Sequence, residues 1–98
     1  MLTGDFNACP NDSCLSVFRN SNPRLHSANK GNNEETFHDF KGIGYSLIDY
    51  IFHNEVLSSD RYEVIKDRNN MDRYPSDHFP IFSRLFVNNF FNRKYNII

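Results

Sequence analysis

The run SLIDYIF, residues 46–52, sets a carboxylate in the middle of an apolar, aromatic stretch. Residues 45–53 read as a strand, because Ile, Tyr and Phe fit a pleated, half-buried surface. In extended backbone Leu47, Asp49 and Ile51 share one face, and Ile48, Tyr50 and Phe52 the other. An ionised Asp among such neighbours costs several kcal/mol unless it is paired or hydrogen-bonded. Either another segment of the chain brings a partner to Asp49, or this is an edge strand with Asp49 facing water. That demand limits the folds open to the chain more than any other feature of it.

The remaining elements follow from local pattern. Leu2–Thr3 leads into Gly4 like the end of a strand. Asn11 or Asp12 can cap a helix whose apolar side is Leu15, Val17 and Phe18, and which Pro23 ends. HSANKGNNEE (26–35) is polar and contains a glycine, so it reads as a loop. TFHDF (36–40), RYEVIK (61–66) and FPIFSRLFV (79–87) alternate as strands do, the last with Phe79, Ile81 and Ser83 on one face and Phe82 and Arg84 on the other. The fold class is α/β (α+β): one helix near the start, then one mainly antiparallel sheet. One helix covers one face of that sheet, so its other face calls for a partner layer.

The chain has 98 residues, enough for one domain, with ten Phe and five Tyr to build a core. Eleven basic against twelve acidic side chains give no global pull toward nucleic acid. The last residues, NNFFNRKYNII (88–98), form a short basic, aromatic tail, read as an end segment and not a binding arm. Cys9 and Cys14 do not have zinc-ribbon or redox spacing, and they read as free thiols of a reducing interior. The apolar runs are too short to cross a bilayer, and the chain opens without a signal peptide, so a cytoplasmic location is expected.

Three other stretches carry candidate chemistry. In GDFN, Asp5 and Asn7 project to one side of an extended segment, a pairing suited to a hard cation and a positioned water; an Asx turn is the other reading. In YPSDHFPI (74–81), Asp77 and His78 are adjacent and fenced by Pro75 and Pro80, as in a stiff polar turn. In extended backbone the two point opposite ways, so each could serve a different ligand. A working His needs a carboxylate to fix its tautomer, and Asp49 is the natural candidate. His38, within TFHDF, reads as a hydrogen-bonded structural residue.

GDFN, TFHDFKG, IDYIF and SDHFPI, in this order, resemble the endonuclease/exonuclease/phosphatase superfamily, which includes deoxyribonuclease I-like nucleases, abasic-site endonucleases and inositol-phosphate phosphatases. The resemblance covers about residues 2–87 and the C-terminal half of such a domain. It implies a four-layer sandwich, two sheets face to face with helices outside, and metal-dependent hydrolysis of phosphate esters. By resemblance Asp5 orients or deprotonates the attacking water and helps hold the metal, Asn7 assists it, and Asp77 ligates Mg²⁺ or Mn²⁺. His78 contacts the scissile phosphate and shares in proton transfer, while Asp49 holds its imidazole. Thr36 and His38 match a pattern near the site without a catalytic assignment.

The metal-binding Glu and early Asn of the family's first half have no counterpart here, since every Glu lies after GDFN. The expectation is therefore a partial domain, with the missing half or a second copy as partner, weak Mg²⁺ binding and little turnover alone. The alternative is a non-catalytic remnant or interaction module of the same fold. The substrate, whether nucleic acid, lipid phosphate or small molecule, is not readable.

Overall fold

The computed structural model describes residues 1–68 and 73–88. The described strands are β1 (Leu2–Asp5), β2 (His26–Ser27), β3 (Asp49–His53), β4 (Leu57–Val64) and β5 (Ile81–Val87), with one helix, α1 (Ser13–Arg19). They form a small α+β domain in which the strands divide between two antiparallel sheets, β1-β3-β2 and β4-β5, where the sequence suggested one. The basic, aromatic tail lies outside the described residues except for Asn88, whose N–H donates to the Val56 carbonyl at 2.8 Å.

The core forms where α1 packs on one face of β3. Tyr50 and Phe52 alternate inward along the strand and join Ala8, Leu15 and Leu47, with Phe6, Phe18 and Leu25 packed against them. Edge, tilted and stacked ring contacts at 5.1–5.9 Å link Phe6, Phe18, Tyr50 and Phe52. Such pairs add to the area they bury. The Tyr50 hydroxyl donates to the Ala8 carbonyl at 2.6 Å, so the phenol is satisfied in an apolar setting. Leu47 was expected on the face of Asp49, but it sits in this cluster. It precedes the ladder, which begins at Asp49, and strand alternation does not bind it.

The helix is shorter than the distance to Pro23 allowed. It ends at Arg19, where the Asn20 N–H bonds the Ser16 carbonyl at 2.9 Å. Asp12 occupies the N-cap position, but its Oδ2 accepts the Cys9 N–H at 2.7 Å instead of capping the helix. Leu15 is buried and Val17 exposed. Two residues apart on a helix means roughly 200° around its axis, so the two cannot share a face.

The β4-β5 ribbon begins at Leu57, four residues before the expected start, and its register shifts by one at a bulge between Ser59 and Arg61. Ile81, Ser83 and Leu85 turn inward and Phe82, Arg84 and Phe86 outward, in the alternation read from sequence. The TFHDF segment is not a strand. Phe37 alone forms isolated bridges, to Ser46 and to His78. Within the expected loop, His26–Ser27 pairs with His53–Phe52. All four residues of β1 are exposed, and β3 is its only described neighbour.

The aromatic cluster should carry much of the stability. Phe52→Ala, which empties a 3%-exposed ring site, is expected to cost about 3–5 kcal/mol in urea unfolding. Phe82→Ala on the outer ribbon face should cost under about 1 kcal/mol. Equal losses would contradict this placement of the core.

Candidate active site

Asp5 and Asp49 are direct partners in the β1–β3 register. Two carboxylates facing each other across antiparallel strands repel. The chain answers with His78. Its Nδ1 donates to Asp49 Oδ2 at 2.7 Å, the partner that the buried acid required. The Asp49 side chain is only 16% exposed, so this bond is shielded and the ring is oriented. Nε2 then faces Asp5 Oδ2 at 3.7 Å and Asp77 Oδ1 at 4.0 Å. Both distances exceed hydrogen-bond reach, so Nε2 stands before two carboxylates and is bonded to neither.

The hydrogen bond that His78 donates to Asp49 raises the histidine's pKa most; burial opposes it, and the charges of Asp49, Asp5 and Asp77 add to the rise. Three acids around one imidazole favour the protonated form.

Each functional side chain is set by local backbone chemistry. After β1 the chain makes an Asx turn: Asp5 Oδ1 accepts the Asn7 N–H at 2.9 Å, and Asn7 takes φ of 50°, a left-handed conformation that Asn tolerates. Of the two readings of GDFN the backbone adopts the Asx turn, which occupies one oxygen of Asp5. Ser76 Oγ accepts the His78 N–H at 3.1 Å, which shapes the turn between the prolines. That turn breaks the extended backbone, so Asp77 and His78 reach the same spot instead of pointing apart.

TFHDF ties this turn to β3. The N–H groups of His38 and Asp39 donate to the Asp77 carbonyl at 2.9 and 3.2 Å, and the Phe79 N–H donates to the Thr36 carbonyl at 2.7 Å. His38 is fully buried, stacked on Phe79 at 4.2 Å and close to Tyr74 at 4.6 Å. Neither of its ring nitrogens has a hydrogen-bond partner among the described residues, so it is a packed ring and not the hydrogen-bonded residue expected. Gly42, at φ of 71°, lies against the Tyr74 ring, and a side chain there would push Tyr74 off His38.

Sequence reasoning passed over Tyr62 and gave Thr36, matched to a family pattern near the site, no role of its own. Tyr62, on β4, has its phenol pushed up to about 12, first by burial and then by the charges of Glu34 and Asp49. Thr36 is fully buried and bonds the backbone of β3. A lone Tyr in an alternating strand, or a Thr before Phe, carries no signal of its own. A cavity of ≈1200 Å³ opens beside α1, lined by Leu15, Tyr50 and Phe52 among others, and none of the five candidate residues borders it.

The donor set suits a hard cation. Ligand atoms of Asp5, Asp49 and His78 all lie within 4.8 Å of one another. Asp49 Oδ2 is already committed to Nδ1, which leaves Asp5 and Asp77, 41% and 44% exposed, as the accessible carboxylates. Oxygen donors of this kind are those that Mg²⁺ and Mn²⁺ take.

No protein-family model matches the chain, and no curated protein does. Among solved structures it is similar to a mannosyl-6-phosphatase of Bacteroides thetaiotaomicron, at 30% sequence identity and a TM-score of 0.71. The match covers 88% of this chain and 37% of that one, so the chain spans little more than a third of that protein's length.

The Asp49–His78 bond has a defined pH signature. The folded pKa of His78 lies above its ordinary value of 6.5. Its contribution to stability is therefore complete below the unfolded pKa and disappears as pH rises through the folded one. Urea unfolding should show a larger gap between wild type and Asp49→Asn near about pH 5.5 than near about pH 9. A gap that grows with pH would contradict the pairing.

Proposed function

We propose that the chain carries the C-terminal part of an endonuclease/exonuclease/phosphatase-type domain, and that its site serves divalent-metal-dependent hydrolysis of a phosphate ester. One observation carries this reading: His78, oriented through Nδ1 by Asp49, presents Nε2 before the open carboxylates of Asp5 and Asp77. The similarity to a mannosyl-6-phosphatase favours a phosphomonoester, such as a sugar phosphate, over a nucleic acid.

Phosphoryl transfer depends on positioning and on neutralising oxygen charge more than on covalent chemistry. A bound Mg²⁺ or Mn²⁺ supplies that Lewis acidity. Asp77 and Asp5 are the residues that would hold it. His78 donates from Nε2 to a phosphoryl oxygen, and the Asp49 carboxylate stabilises the imidazolium while it does so. Asp5, with one oxygen fixed by the Asn7 N–H, uses the other to orient a water. Asn7 stands beside it, its amide available to the same water or to the phosphate.

Two features support a partial site. The chain spans 37% of the similar phosphatase, and β1, which carries Asp5, is exposed along its whole length. A strand edge of that kind accepts another strand, from the remaining part of such a domain or from a second copy. The same features leave room for a second reading, a module of this fold that binds without turnover.

A divalent-ion titration tests the proposal. Mg²⁺ or Mn²⁺ should raise the melting temperature of wild type, by mass action on the folded state. Asp5→Asn and Asp77→Asn should each weaken the effect, and Phe82→Ala should not. Slow hydrolysis of p-nitrophenyl phosphate should accompany binding, stop with chelator, and fall by about 10²-fold or more in His78→Ala. No shift with either ion, together with no turnover, would overturn the metal-dependent reading.

A further inference from the structure

Thr36 is fully buried, and its bonds run to Asp49 and to Phe79, the residue that follows His78. Its Oγ1 accepts the N–H of Ile48 at 3.1 Å and of Asp49 at 3.2 Å. Its carbonyl accepts the N–H of Phe79, the residue after His78, at 2.7 Å. Its own N–H donates to the Ser46 carbonyl at 2.8 Å, closing the link to the approach of β3. One residue thus bonds the backbone of Asp49 and of the residue next to His78, and the Asp49 and His78 side chains meet at 2.7 Å.

The neighbours of Thr36 extend this link. Phe37 bridges Ser46 on one side and His78 on the other, and its ring stands 5.2 Å from the His78 imidazole, edge to face. Valine at position 36 would match threonine in shape but offer no acceptor, leaving two N–H groups at the start of β3 without their partner. Serine would keep the acceptor.

We propose that Thr36 is a positioning residue for the Asp49–His78 pair: its hydroxyl fixes the backbone of Asp49 while its carbonyl fixes the backbone beside His78. The inference rests on that pair being the working group of the proposed site, yet its readout needs neither metal nor turnover. A failure of Mg²⁺ to bind would defeat the functional reading and leave this one untouched.

The His78 Nδ1–H proton, bonded to Asp49, is the probe, followed by NMR in ¹⁵N-histidine-labelled protein. In Thr36→Ser its resonance and its exchange with water should match wild type. In Thr36→Val, folded by circular dichroism, exchange should be roughly tenfold faster, the effect of losing one hydrogen-bond acceptor. Wild-type exchange in Thr36→Val, or loss of the signal in Thr36→Ser as in Thr36→Val, would overturn the proposal. Should Thr36→Val not fold, wild-type protein decides. The Asp49 amide and the His78 Nδ1–H should then exchange together, and an Nδ1–H that outlasts the Asp49 amide would overturn it.

Discussion

Two carboxylates that face each other across a strand pair set the terms for this molecule. Asp5 and Asp49 are register partners in β1 and β3. Without a cation between them, this end of the sheet would repel itself, and Asp49, beneath an aromatic core, could not stay ionised cheaply. His78 resolves both difficulties with one ring, bonded to Asp49 and close to Asp5. The turn that carries His78 must then be held against β3 from a distant part of the sequence, and that requirement explains the shape of residues 36–46. They form no regular strand because their backbone bonds are divided between the Asp77–Phe79 turn and the approach to β3.

The same bonds bear on why the His38 ring is buried without polar partners among the described residues. Its backbone N–H is committed to the Asp77 carbonyl, and its ring lies between Phe79 and Tyr74. A ring stacked on aromatic neighbours gains dispersion and ring contacts while forgoing hydrogen bonds. His38 thus supports the site by packing, whereas His78, forty residues on and half-exposed among three acids, is the histidine whose charge matters.

Much of this was legible because the signals were local or chemically imperative. Alternation along residues 79–87 predicted which side chains of β5 face inward. The acid inside SLIDYIF demanded a partner, and a working His78 demanded a carboxylate, which made the two natural mates. What the sequence hid depended on geometry that pattern does not encode. Val17 was placed with Leu15 by hydrophobicity, although helical spacing separates them. The pairing of His26–Ser27 with β3 arises from tertiary contact inside a polar stretch. Asp77 and His78 were assigned to opposite sides on the assumption of extended backbone, and a Ser76-shaped turn brings them together. The role of Thr36 lies in two amide bonds that no spacing rule announces.

The site also shows what a single sheet end can and cannot supply. It offers an oriented imidazole, two accessible carboxylates and a rigid turn, all on one side of the β1–β3 pair. Among the described contacts, His78 is the cationic group set against these carboxylates. One imidazolium against Asp5, Asp49 and Asp77 leaves an excess of negative charge at the open end of an exposed strand. An excess of that kind is tolerable in water but not once the edge of β1 is covered and solvent is excluded. Covering that edge would therefore raise the demand for a cation at the same place, so that completing the sheet and filling the site are coupled through the charge of three aspartates.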